Sequence, residues 1–154
     1  MDIEVYSKFN NNLERFWTKF EKNAIMNPFQ SYAWLSNWQK AVGGPLLAVL
    51  PQIVHVTKDN KTQAILPFGI RKKFGSKILE WLGGINADYM GPLFHSNFLD
   101  NKHLPQDIWN KVRSEIENFD VIHFQKQTHQ TIQFLKKIDF AYISIENLKS
   151  YIMI

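Results

Sequence analysis

"ILEWLGGINADYMGPLF", residues 78–94, carries three of the chain's seven glycines and an aspartate beside a tyrosine. The element that comes after Gly83-Gly84 decides the fold. A glycine turn that opens a helix aims backbone N–H groups at a phosphate, whereas one that opens a strand only returns the chain to a sheet. The apolar residues before the turn, in "KILEWLG", and after it, in "DYMGPLF", both read as strands, with Pro92 inside the second. Neither G-x-G-x-x-G nor G-K-[ST] occurs. The stretch therefore predicts a loop between two sheet strands and no nucleotide cradle.

Upstream, "LLAVLPQIVHVTK" and "TQAILPFGIRKK" are aliphatic and β-branched runs joined by Asp59-Asn60, which predicts a hairpin. Pro51 and Pro67 point to edges or bulges in it. The middle of the chain thus reads as a strand meander. Before it lie a short strand, "IEVY", and two helices. "NNLERFWTKFEKNA" sets Leu13, Phe16, Trp17, Phe20 and Ala24 on one face, with Asn11 and Glu14 spaced as a variant capping box. "SYAWLSNWQKAVGG" has Ser31 as N-cap and Gly43 as stop. After the meander, Ile108, Trp109, Val112, Ile116 and Phe119 make a helix face beginning near Pro105. "DVIHF" reads as a buried strand, "THQTIQFLKKI" as a helix capped by Thr128, and "FAYISIE" as another strand. This order predicts an α/β (α+β) fold with a mixed central sheet, flanking helices, the meander in the middle and βαβ units at the C-terminal end. The apolar tail "LKSYIMI" has no polar stop, and the expectation is that residues 1–154 form a single domain that is the N-terminal half of a longer protein.

The composition is that of one globular domain: 154 residues, 45% hydrophobic, 21% charged and rich in aromatics. With no cysteine, disulfides, thiolate nucleophiles and Cys-containing zinc sites are excluded. "MDIEVYSKFN" lacks the build of a signal peptide and no apolar run is long enough to span a bilayer, so a cytoplasmic setting without a membrane span is expected. The net charge of +4 is scattered, with "RKK" at 71–73 and "KK" at 136–137 as the tight groups. On that ground no nucleic-acid partner is expected.

Candidate chemistry is sparse. The histidines at 55, 95, 103, 123 and 129 fall at no metal-ligand spacing, so no metal is expected, and His55 and His123 read as strand histidines that are hydrogen-bonded in a core or edge. No G-x-S-x-G presents a serine. Asp88 and Tyr89, just past the glycine turn, supply a carboxylate and a phenol at a strand mouth; the competing reading is a turn aspartate and a packed tyrosine. Trp34 and Trp38 read as core at helical spacing.

"FQSYAW" at 29–34, "AILPFGIRKK", the G-x-x-x-x-D-Y loop that ends at Tyr89, and "FDVIHFQK" resemble, in this order, the N-terminal half of CelD/BcsL-type, FemAB-like acyltransferases of the GNAT superfamily, over about residues 28–145. The resemblance implies a GNAT-like fold and transfer of an acyl group from a thioester to an amine or hydroxyl of a saccharide or cell-envelope acceptor. It implies acyl-CoA as co-substrate of the full enzyme, held by a C-terminal GNAT-like half and not by this one. Asp88 and Tyr89 would bind the acceptor with Arg71 as an anion contact, and no catalytic base is identified. "RKKFGSK" has only part of the superfamily's CoA loop, with Lys77 where a small residue is needed. The alternative is a non-catalytic binding module that keeps the fold without the donor.

Overall fold

The computed structural model describes residues 1–100, 104–116, 118–139, 142–145 and 150–153. Strand β1 (Asp2–Tyr6) leads to helix α1 (Asn11–Glu21), the short β2 (Ala24–Ile25) and helix α2 (Tyr32–Trp38), which runs into a π-type turn at Gln39–Gly43. Strands β3 (Leu50–Lys58), β4 (Lys61–Lys73) and β5 (Ser76–Trp81) form the meander, and β6 (Leu93–His95) comes after it. The chain continues through α3 (Leu104–Glu115), β7 (Val121–Phe124), α4 (His129–Leu135), β8 (Tyr142–Ile145) and β9 (Ser150–Met153). One mixed sheet joins them in the order β1-β3-β4-β5-β7-β9-β8, with β6 bridging β2 and β4. This is the α/β architecture expected, meander included.

Local chemistry accounts for the elements. Asp59 and Asn60 both take positive φ, 51° and 57°, as the tight β3–β4 turn requires, and Asn is among the few residues that tolerate it. Ser31 and Thr128 cap their helices as expected, accepting from the N–H groups of Trp34 and Thr131. The cap of α1 is Asn10, one residue before the expected start, and its side chain accepts from Leu13 N at 2.9 Å.

The two prolines in β3 and β4 sit where no donor is needed. Pro67 O accepts from Leu82 N at 2.8 Å, so the backbone of Pro67 turns away from β3. On that side β4 pairs β6 at Ala64 and Ile65 and β5 only from Phe68 onward, and Pro67 falls in the gap. Pro51 shares the parity of Ile53 and lies beyond the last β1 pair, Tyr6↔Ile53.

Strand alternation divides the core into two layers. Ile53, Ile65, Leu82 and Leu93 pack with Leu13, Trp17, Phe20, Leu35 and Trp38 under α1 and α2. Val54, Leu66, Phe68, Leu79, Trp81 and Phe124 pack with Ile108, Trp109, Val112 and Phe134 under α3 and α4. Phe68, Trp81 and Phe124 stack there with centroids 4.4–5.5 Å apart, joining three neighbouring strands.

One segment differs from the sequence reading, and two others lie partly outside the described residues. "DYMGPLF" is mostly loop: its strand is Leu93–His95, which pairs β4 and β2 instead of extending the meander beyond β5. Pro92 has no N–H to donate, and Gly91 takes φ 148° where an added Cβ would stand 2.1 Å from Thr131 Oγ1. The strand expected over "FAYISIE" is β8; residues 140, 141 and 146 lie outside those described. In the tail, residues 150–153 form β9, which hydrogen-bonds between β7 and β8, while residues 148, 149 and 154 lie outside those described.

Candidate functional site

β5 and β7 are the parallel neighbours, and they pair only at Ile78↔Val121 and Leu79↔Ile122. Past those residues the ladder between the two strands stops. In open α/β sheets the crevice beyond the carboxyl ends of parallel strands is where ligands lodge. A cleft of about 540 Å³ lies there. Arg71, Lys73, Glu80, His123 and Gln125 form its floor, Val42, Leu46 and Leu47 of the segment after α2 one side, and Gly84, Ile85 and Asn86 the other.

The floor is a small charged network. Arg71 Nη2 meets Glu80 Oε2 at 2.9 Å, a diagonal pair across β4 and β5. Burial pushes the Glu80 carboxyl up, and Arg71 offsets only part of that. Among the described residues Arg71 Nε has no hydrogen-bond partner although it is buried. Half-buried His123 has its pKa lowered, first by desolvation and then by the positive charges of Lys73 and Arg71, so the ring is neutral at pH 7. Gln125 Nε2 stands 3.0 Å from each ring nitrogen. A neutral imidazole facing a cleft is a proton acceptor at neutral pH.

The glycine loop walls this cleft. Gly83 and Gly84 have φ of 117° and 55°, values that L side chains rarely adopt, and they lie against indole rings. A Cβ on Gly83 would come within 3.3 Å of Trp34, and one on Gly84 within 3.1 Å of Trp38. Trp38 Nε1 donates to Asn86 Oδ1 at 3.1 Å. Buried Gln30 donates through Nε2 to Pro92 O at 2.9 Å. The two stretches "FQSYAW" and "GGINADY" are therefore a packing pair. Across the strand opening, Lys126 Nζ donates to Ile85 O at 2.9 Å and Ala87 O at 2.7 Å, and Met90 N donates to Lys126 O at 2.8 Å.

Of the expected site residues, Arg71 lies in the cleft. Asp88 and Tyr89 come after the turn at Gly84–Asn86 on the outside of the loop, Asp88 exposed and Tyr89 53% exposed, and neither lines the cleft. The structure does not bring them together with Arg71. Sequence reading passes over His123, Glu80 and Lys73, because nothing in "DVIHF" or "ILEW" signals that the ladder between two strands stops there. "RKKFGSK" is the β4–β5 hairpin, with Phe74 and Gly75 at positive φ, so it is no strand-to-helix loop. His55 lies elsewhere, in a groove of about 600 Å³ with Phe16, Lys19 and Lys61. It is stacked on Phe16 at 3.8 Å and hydrogen-bonded to Thr62 Oγ1 at 2.9 Å, so it is already engaged. Among the described residues no group of three His, Asp or Glu could hold a metal ion, and no helix is long and apolar enough to cross a membrane.

No protein-family model matches the chain, and no curated protein matches it. Among solved structures, one described as the AtaT-AtaR complex bound to DNA is similar, with a TM-score of 0.47 and 14% identity over 99% of this chain and 93% of that one. Nucleic acid stands in that neighbour's own description, and the expectation that nucleic acid has no place among the partners is corrected accordingly. Its premise is weak physically: charges scattered in sequence are gathered in space, as Lys19 and Lys61 are in the groove.

Proposed function

We propose that the chain is a GNAT-like acyltransferase domain whose acceptor enters the cleft between β5 and β7. The observation that carries this reading is His123, a neutral imidazole at the point where the ladder between the two parallel strands stops. In the proposed step the acceptor's amine or hydroxyl attacks the thioester carbonyl, its proton passes to His123, and the thiolate leaves and recovers that proton. Holding the nucleophile beside the thioester supplies much of the acceleration. The finer parts of the reading rest on the CelD/BcsL-type resemblance: a saccharide or cell-envelope acceptor, acyl-CoA held by the second half of a longer cytoplasmic chain, Arg71 as the anion contact, and Asp88 and Tyr89 reaching the acceptor from outside the loop.

Thiol release from acyl-CoA, measured with a panel of amine and hydroxyl acceptors on this chain and on any longer chain that contains it, tests the proposal. His123→Gln is expected to lower turnover about 10²- to 10⁴-fold with little change in acceptor KM. Turnover unchanged in that variant would remove His123 from the chemistry. Acceptor binding without thiol release from either chain would favour the non-catalytic module instead.

A further inference from the structure

We propose that the molecule taken into the β5–β7 cleft bears a carboxylate or phosphate group, held by Arg71 Nε and Lys73 Nζ. This rests on the acyl-transfer reading for what the rest of that molecule does, namely present an amine or hydroxyl to His123. Three observations on the cleft carry it. Arg71 Nε is a buried donor with no partner among the described residues, and buried donors are rarely left so unless something else completes them. The carboxylate on the floor, Glu80, is engaged by Nη2 of the same guanidinium, so it does not answer Nε. Lys73 makes no salt bridge among the described residues; its Nζ stands 5.3 Å from the Phe74 ring centroid, at the hairpin end of the cleft.

Among the described residues, the polar and charged groups that line the cleft with His123 include Arg71 and Lys73 on β4, Glu80 on β5 and Gln125 just after β7. Two cations face one carboxylate, so the floor carries an excess positive charge, and both cations act on His123 in the direction that disfavours its protonation. An anionic group would complete the guanidinium fork and cancel that excess. It would also fix the ligand's orientation, because the fork lies on the strand next to β5 while His123 lies across the opening on β7.

The experiment reads the anion through His123. The ring C–H signals of the whole chain are followed by NMR across pH in sodium chloride, sodium sulfate and sodium trifluoroacetate at equal ionic strength. Sulfate stands for the phosphate and trifluoroacetate for the carboxylate, and both stay ionised over the titration. We expect at least one of them to raise the His123 midpoint relative to chloride, and Lys73→Gln, which leaves the Arg71–Glu80 pair in place, to remove most of that rise. Which anion acts identifies the source. No rise with either, or a rise that survives Lys73→Gln, would overturn the proposal. The acyl-transfer reading fails separately: thiol release at equal KM for an amino acid and its amide would leave transfer standing and sink the anion site. An anion-dependent midpoint without thiol release would do the reverse.

Discussion

His55 and His123 occupy alike positions, each on the same face of an inner stretch of strand, and their surroundings give them different work. His55 is sealed between Phe16 and β4, and burial pulls its pKa down to about 4, with Glu4 on the neighbouring strand opposing the shift. That carries a stability consequence whose sign is fixed. Above pH of about 6.5 the ring is neutral in both folded and unfolded chains and pH has no leverage through it. As pH falls from there toward about 4, the unfolded chain takes up a proton that the folded chain resists, and stability is lost. The loss amounts to about 2 kcal/mol after a discount for the ring's residual solvent contact. Urea unfolding at neutral pH and near pH 4.5 should show it, and His55→Phe, which keeps the stack on Phe16, should flatten that component. An unchanged pH dependence in His55→Phe would assign the loss to other groups; Glu80, whose carboxyl is pushed up, acts with the opposite sign. His123 keeps one side on the cleft, where a depressed pKa leaves the ring neutral, with its lone pair shared with the Gln125 amide, instead of only costing stability.

At the scale of elements, the loop Gly83–Gly91 is set from both ends. Trp34 and Trp38 press on its glycines, Thr131 of α4 presses on Gly91, and the Lys126 ammonium binds two of its carbonyls. Lys126→Met keeps the aliphatic stem and removes both of those bonds. The fold should lose only about 1–2 kcal/mol, while proteolytic cleavage at residues 84–89 should become several-fold faster. Cleavage at the wild-type rate would mean that the tryptophans alone hold the loop. Legibility in the sequence divides along the same line. Caps at Ser31 and Thr128, the Asp59-Asn60 turn and the amphipathic face of α1 rest on contacts within a few residues, so the chain displays them openly. The failure of "DYMGPLF" as a long strand depends on Thr131, forty residues onward, and on which edge of β4 stands vacant. The candidate site is least legible of all. Arg71 stands out in "RKK", but its meeting with Glu80, His123 and Gln125 depends on how far β5 and β7 stay paired, a property of the sheet and not of any segment.

For the molecule as a whole, the sheet's order departs from the chain's order in one place that matters. Among the described residues β8 attaches through β9 alone, and β9 supplies the outer neighbour of β7. A chain stopped at residue 147 would leave β7 with an unpaired edge and β8 with no strand to lie against. Exposed strand edges template association, so this shortened chain should scatter light and sediment as aggregates where residues 1–154 do not. Equal behaviour of the two would mean that the last hairpin contributes nothing to closing the sheet.

The same topology sets a timetable for synthesis. The β3–β4–β5 meander can zip together as soon as it is made, since its partners are adjacent in the chain. β8, by contrast, emerges before the strand that must separate it from β7, and during that interval it meets the open edge of β7 directly. A nascent chain can therefore pair these two in a parallel register that the finished protein does not use. Residues 150–153, made after β8, have to displace that pairing as well as fill their own place.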